Sequence, residues 1–249
     1  QERLCEWHEL IMKGRSDLQV IGGYRTHEEP MQSVSGRIGK EIVHFEAPPS
    51  ARVHLEMKRF FEWFNQSERQ LPPLARSGIA HLHFESIHPF EDGNGRIGRA
   101  ISEIALAQGL GQRSLTMLAT EIESRKKEYY AELERASRTL EATEWLEWFA
   151  DVVLAAQRRT IDWIEFVIAK TRLMDRVRDS INERQEKALL RMLREGPAGF
   201  AGGLSAGNYQ AITGTSPATA RRDLLQLVNL GALQKTGTRK GTRYWLKLH

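Results

Sequence analysis

Apolar residues recur at helical spacing along most of the chain, and the exceptions are confined to two stretches. Leu4, Trp7, Leu10 and Ile11 share one face of a first helix that ends near Gly14. Ser50 reads as the N-cap of a second, with Val53, Met57, Phe60, Phe61 and Phe64 on its apolar stripe. Ala75, Ile79 and Leu82 predict a helix before Ser86, and Ile97, Ile101 and Ile104, flanked by Ala100 and Ala107, predict another after it. Helical patterns resume over 118–136, where Tyr129, Tyr130 and Leu133 cluster. They continue over 144–166, where Trp145, Leu146, Trp148, Phe149, Val153, Ile161, Trp163 and Ile164 predict dense packing. A charged helix over 171–182 then connects to a different kind of sequence.

The first exception is 31–49, where Gly36, Gly39, the β-prone run Ile42, Val43, His44 and Phe45, and Pro48-Pro49 predict a small hairpin. The second is 183–249. Three short helices are expected there, over 185–193, 204–212 and 217–230, the last with Ser216 as N-cap and Pro217 at its first position. Two strands, 232–235 and 244–248, flank the turn TGTRKGTR. The prediction is a mainly α chain of two domains, 1–182 and 183–249, with one hairpin in each.

Composition changes this picture only in the tail. The 249 residues are 41% hydrophobic and 27% charged, ordinary for a folded protein, and no apolar run is long enough to span a bilayer. The one cysteine, Cys5, excludes an internal disulfide framework, and no signal-peptide pattern opens the chain, so the cytoplasm is the expected compartment. Residues 1–182 hold 25 Lys and Arg against 28 Asp and Glu, a net of −3, whereas 183–249 hold 11 against 4, a net of +7. The basic excess of the tail calls for an acidic partner.

The chemistry concentrates between the two central helices, in SIHPFEDGNGRIGR. A loop opening into a helix N-terminus favours an anion, because the first amides lack intrahelical partners and the peptide dipoles point positive. Gly93 and Gly95 can take left-handed conformations that turn amides inward as a nest, and Asn94 between them can donate from its side chain. Arg96 and Arg99, three apart, present two guanidinium forks on one face. Asp92 supplies the single carboxylate usual for a Mg²⁺ whose other ligands are phosphates and water. His88 is the nearby group able to take a proton from an attacking hydroxyl near neutral pH, and Phe90 reads as a packing anchor. Each residue alone has an ordinary use, but the ordered set suits a polyphosphate.

His88, Pro89, Phe90, Asp92, Gly93, Asn94, Gly95, Arg96 and Arg99 match every position of HPFx(D/E)GNGRxxR, and the stretch resembles the signature of the Fic family. The resemblance implies an α-helical fold and transfer of AMP from ATP to a Ser, Thr or Tyr hydroxyl of a target protein. It implies His88 as general base, Asp92 as Mg²⁺ ligand, Gly93, Asn94 and Gly95 as phosphate cradle, and Arg96 and Arg99 as outer clamps. It also implies that the 31–49 hairpin is a flap on which Ile42, Val43, His44 and Phe45 register the target by strand addition. Tyr129 or Tyr130 would stack on adenine. Removal of AMP uses related sites in the family and stays open.

The order helix, helix, helix, hairpin in the tail resembles a winged helix-turn-helix, which many Fic proteins carry there. That resemblance implies duplex DNA contact through Arg221 and Arg222 on the third helix and Arg239, Lys240 and Arg243 on the wing, with dimerisation, including a homodimer, or protein docking as the other use. A DNA-binding regulator whose Fic domain senses nucleotide is the rival class. Fic proteins are commonly held off by a helix bearing Ser or Thr, three residues, Glu, then Gly or Asn, whose Glu pairs with the second arginine, here Arg99. The nearest approaches, Ser124 with Glu128, Ser137 with Glu141 and Thr143 with Glu147, continue with Tyr129, Ala142 and Trp148 instead. The expectation is that such a segment precedes Gln1, and that a chain with Arg99 free reacts faster than a longer parent.

Overall fold

A computed structural model describes the chain except Ile38, Gly39, Leu115, Leu140 and His249, and describes only the backbone of the other residues within 33–44. The chain divides into two compact units, Gln1–Arg158 and Arg159–His249.

The first unit is built on two consecutive helices, α3 (Pro73–Ile87) and α4 (Asn94–Leu110), which pack together along their lengths and carry the signature loop between them. Around them lie α1 (Glu2–Met12), α2 (Ser50–Gln66), α5 (Leu118–Ser124), α6 (Lys126–Arg138) and the start of α7 (Thr143–Val177). Two apolar clusters fill the unit. One joins Val53, Met57 and Phe60 to Phe84, Phe90 and Ile97. The other joins Leu106, Leu118 and Ile122 to Tyr129, Trp145 and Phe149.

The sequence pattern places α3 correctly but misreads its buried face. Ala75, Ile79 and Leu82 are only half-buried, while Arg76, Ser77, His81, Phe84 and Glu85 face the interior. A helix enclosed by neighbours buries polar residues as well as apolar ones, and Arg76 and Ser77 are paired where they are buried. Arg76 is 1% exposed. Its guanidinium donates to the carbonyls of Phe64 (2.8 Å) and Ala105 (3.2 Å), to Gln108 Oε1 (3.0 Å) and to Ser67 Oγ (3.2 Å), and lies 4.3 Å from the Phe64 ring centre. Ser77 and Ser102 meet at 2.8 Å between α3 and α4. Close packing here also needs Gly78, where a Cβ would crowd Leu146 and Phe149.

Three local expectations are corrected. Leu10 is 73% exposed, and His8 and Met12 take the inward face of α1 instead. Ser50 is the first residue of α2 and does not cap it; its hydroxyl serves Arg25 and the His27 carbonyl. Ile161, Trp163 and Ile164 on α7 are about half exposed, so the dense packing expected around the site stops with Trp145–Val153.

The predicted hairpin exists as β1 (Gln32–Arg37) and β2 (Lys40–Glu46), antiparallel from Gln32 opposite Glu46 to Arg37 opposite Lys40, with an irregularity between Ser33 and Val34.

The second unit contains α8 (Glu183–Leu193), α9 (Ala206–Thr213), α10 (Pro217–Asn229) and the antiparallel pair β3 (Leu233–Thr236) and β4 (Arg243–Leu246). Ser216 caps α10 by accepting from the Thr219 amide, with Pro217 first in the helix, as expected. Leu173 and Val177, near the end of α7, belong to the core of Leu189, Leu204, Tyr209, Leu224 and Tyr244. The packing boundary therefore falls before residue 182. Asp223, 2% exposed, is the polar pivot, accepting from Arg184 Nε at 3.0 Å and from the Tyr209 hydroxyl at 3.1 Å.

Arg76→Met would keep most of the apolar stem but remove the guanidinium's bonds to Phe64, Ala105, Gln108 and Ser67. Urea denaturation should show a loss of about 3 kcal/mol, since hydrogen bonds to a charged group contribute roughly 1.5–3 kcal/mol.

Candidate nucleotide site

The signature loop begins where α3 ends. His88 closes the last turn, its amide donating to the Phe84 carbonyl at 3.0 Å, and lies in the left-handed region at φ 50°, ψ 59°. This conformation usually falls to glycine at a helix end, so a histidine there must be held by its surroundings. Arg25 does the holding. It is 2% exposed, and its Nε donates to the His88 carbonyl at 2.8 Å, with Nη2 reaching the carbonyls of Pro48 (2.5 Å) and Ile87 (3.4 Å). Its own amide donates to the Pro89 carbonyl at 2.9 Å. Three consecutive carbonyls of the loop thus converge on one residue.

Phe90 is fully buried, as its anchor reading requires, and its ring stacks on His8 with centres 4.1 Å apart and planes 8° from parallel. His8 accepts from the Gly22 amide at Nδ1, which leaves Nε2–H to donate to the Asp92 carbonyl at 3.1 Å. Burial lowers its pKa, in keeping with a neutral ring. Asn94 has a task besides the expected one. Its Nδ2 donates to the Phe90 carbonyl at 2.8 Å and its Oδ1 accepts from the Phe90 amide at 2.9 Å, so the side chain closes the loop with its oxygen and one of its two N–H groups.

Gly93 is left-handed at φ 85°, and a Cβ there would strike the Met12 methyl, so both conformation and space demand glycine. Gly95 differs from expectation. It lies in the first turn of α4 with no positive φ, and its missing side chain leaves room beside Arg99, whose Nη1 would be 3.2 Å from a Cβ. No side chain caps α4, so the first-turn amides are left for a ligand.

These residues border a cavity of about 410 Å³ whose wall includes His88, Asp92, Gly93, Asn94, Gly95, Arg96 and Arg99, with Phe45, Tyr129 and Tyr130. Phe45 comes from β2 and its ring centre is 6.4 Å from that of His88. The side chains of Ile42, Val43 and His44 lie outside the described residues. The two tyrosines divide their roles. Tyr129 is 5% exposed, its hydroxyl 2.9 Å from His81 Nε2 among Trp145 and Trp148, so it is chiefly core. Tyr130 is 48% exposed and offers an open ring face.

Burial pushes His88 down to about 4, with the Glu85 backbone carbonyl opposing and Arg25 adding to the fall. Nδ1–H donates to that carbonyl at 3.3 Å, which leaves Nε2 as the free acceptor. Asp92 is pulled both ways. Burial raises its pKa, but the Arg15 guanidinium at 2.6 Å and the Gly93 amide at 2.5 Å outweigh this and leave it lowered. Arg96 Nη2 is 3.9 Å from the same carboxylate. No group of three or more His, Cys, Asp or Glu that could hold a metal occurs among the described residues.

Sequence reasoning missed His8, Arg15, Arg25 and Glu85, all of which touch the loop. The first three lie 63 to 84 residues away along the chain, and no spacing rule links them to it.

In the second unit, Arg221, Arg239, Lys240 and Arg243 line one cleft of about 590 Å³ with Lys235, between α9, α10 and the strand pair. Arg222 lines an adjoining groove on α10 with Ala218 and Gln226, and Arg221 borders both.

Residues 1–106 match the Fic/DOC family, and the chain carries a domain of that family over this stretch. The chain is 33% identical over 102 residues to protein adenylyltransferase Fic of Drosophila grimshawi, covering 39% of this chain and 20% of that protein. It is 29% identical over 114 residues to the uridine 5′-monophosphate transferase of Xanthomonas campestris pv. campestris, covering 42% and 20%. The match thus spans about a fifth of those relatives' length. A crystal structure of a Fic family protein from Desulfovibrio desulfuricans aligns with a TM-score of 0.55 and 25% identity, over 98% of this chain and 68% of that one. The helical unit with its two-stranded sheet matches a Fic fold. Among the described residues, no helix is long and apolar enough to cross a membrane.

Replacing Arg25 by Met would remove the side-chain clamp on the Ile87 and His88 carbonyls while the backbone bond to Pro89 stays. The expected outcome is faster hydrogen exchange at the amides of His88 and Phe90, with melting lowered by several degrees, as the loss of a charged group's hydrogen bonds costs about 1.5–3 kcal/mol each.

Proposed function

We propose that this chain transfers AMP from ATP to a Ser, Thr or Tyr hydroxyl of a protein, with His88 as general base. The observation that carries the reading is a single one: His88 presents a free Nε2 to a cavity that also holds an uncapped helix N-terminus and two arginines. A neutral imidazole is ready to accept a proton, and its burial keeps it neutral at physiological pH.

The target oxygen attacks the α-phosphorus as its proton passes to His88 Nε2, and the bond from phosphorus to the bridging oxygen of pyrophosphate breaks. The first-turn amides of α4 receive the α-phosphate, while Arg96 and Arg99 take the charge of the departing pyrophosphate. Tyr130 offers its ring to adenine, and β2 brings Phe45 beside His88 so that a target segment can pair along the flap. The residues fit a Mg²⁺ that accompanies ATP: Asp92 contributes one partly exposed carboxylate, as suits an ion otherwise held by phosphate and water. Such an ion, when bound, neutralises phosphate charge. Arg15 shares that carboxylate and would have to yield one oxygen.

The relatives named for adenylyl and uridylyl transfer support nucleotide transfer to proteins in general. Adenine as the base and transfer as the favoured direction rest on the motif resemblance.

A second reading concerns the tail. The basic cleft between α10 and the β3–β4 turn favours a winged helix bound to duplex DNA.

His88→Ala should abolish AMP transfer from labelled ATP while ATP is still retained; loss of a general base is worth roughly 10² to 10⁴ in rate. Full transfer by the variant would overturn the assignment. For the tail, retention on duplex DNA should fall steeply as salt rises, and Arg239→Ala with Lys240→Ala should flatten that slope by about two phosphate contacts. No retention at low salt would favour protein docking.

A further inference from the structure

Glu85 lies one helical turn before His88 on α3 and is 7% exposed, yet the transfer reading gives it no task. Its Oε2 is 3.8 Å from His88 Nδ1, and its Oε1 is buried without a hydrogen-bond partner. The space it occupies depends on α4: a Cβ at Gly98 would collide with Oε1. A buried carboxylate oxygen without a donor is costly, and such groups are kept where they have a use. The His88 ring contacts Glu85 twice, through the backbone carbonyl that fixes the Nδ1–H tautomer and through the carboxyl behind it.

We propose that Glu85 is a positioning residue for His88, its carboxylate facing the Nδ1 edge of the ring and stabilising the imidazolium that forms when the target's proton arrives at Nε2. This rests on the transfer reading above. The atoms balance simply: the hydroxyl proton goes to Nε2, Nδ1–H stays on the Glu85 carbonyl, and the new positive charge finds a negative charge within 4 Å. The dependence on pH follows. Burial raises Glu85 to about 7, and Arg99 on α4 opposes that rise. Tyr129 on α6, near enough to feel Glu85, is held neutral by burial, as is His81, one turn back on α3. On the other side, His88 feels Arg25 and Asp92. Glu85 is thus protonated below neutrality, where His88 is a weak base, and ionised above it, where the base is strengthened.

The test uses the full chain and reads His88 directly. Ring signals of His88 followed by NMR from acid to alkaline pH should show a second inflection near neutrality, from Glu85, which Glu85→Gln abolishes and Glu85→Asp keeps. AMP transfer by the wild type should rise across neutrality, while Glu85→Gln loses the rise and is slower by about tenfold on the alkaline side but nearly equal on the acid side. A wild-type titration without the second inflection overturns the proposal, and this needs no variant. A rate loss in Glu85→Gln that is the same at every pH, with His88 titrating unchanged, also overturns it, since that is what a space-filling residue would give. If the inflection is present but the wild type transfers no AMP, the coupling stands and the transfer reading falls.

Discussion

The site depends on how a loop is closed between two helices packed side by side. The Asn94 side chain binds both the amide and the carbonyl of Phe90, and so ties the first residue of α4 to the loop that leaves α3. With the loop closed, Phe90 is driven into the core against His8, Gly93 turns left-handed over Met12, and the α4 amides face the cavity. A short carboxamide both donates and accepts in one plane, which is why Asn suits this place.

The second constraint is backbone strain. His88 sits in a conformation unfavourable to a residue with a Cβ, which costs of order 1–3 kcal/mol and persists only if the surroundings impose it. Arg25 imposes it from the segment before the flap, through the carbonyls of Ile87, His88 and Pro89. The same contacts reach Pro48 and Ser50, where the chain leaves the flap and enters α2. The left-handed turn ends α3 at His88, whose side chain borders the cavity, and the buried guanidinium holds its carbonyl.

Electrostatically the site is layered. Its outer surface carries Arg15, Asp92 and Arg96, whose charges are partly solvated. Beneath it lie His88, Glu85, His81 and Tyr129, all shifted by burial toward their neutral forms. In the proposed transfer, the proton passes within the inner layer, where a single charge has large consequences, and the phosphates meet the outer one, where charge is plentiful.

The sequence alone determined the helices, the hairpin and the signature residues, because periodicity and turn chemistry are local properties and a motif of nine matched positions is legible without a fold. Pro217 after Ser216 marked α10 for the same reason. Tertiary structure decided which face of each helix is inside. On α3 it buried Arg76, His81 and Glu85 rather than the apolar Ala75, Ile79 and Leu82: neighbours supplied hydrogen bonds to Arg76 and to Nε2 of His81, while Glu85 is buried beside the His88 ring. It made Asn94 the clasp of the loop, made Tyr129 core and Tyr130 surface, and left Arg222 out of the cleft that Arg239, Lys240 and Arg243 line, with Arg221 bordering both that cleft and the groove of Arg222. His8, Arg15 and Arg25 reach the loop only when the folded chain brings α1 and its following segment against it. Interactions between residues 63 to 84 positions apart have no signature in a single sequence, because what selects them is the shape of the space they meet in.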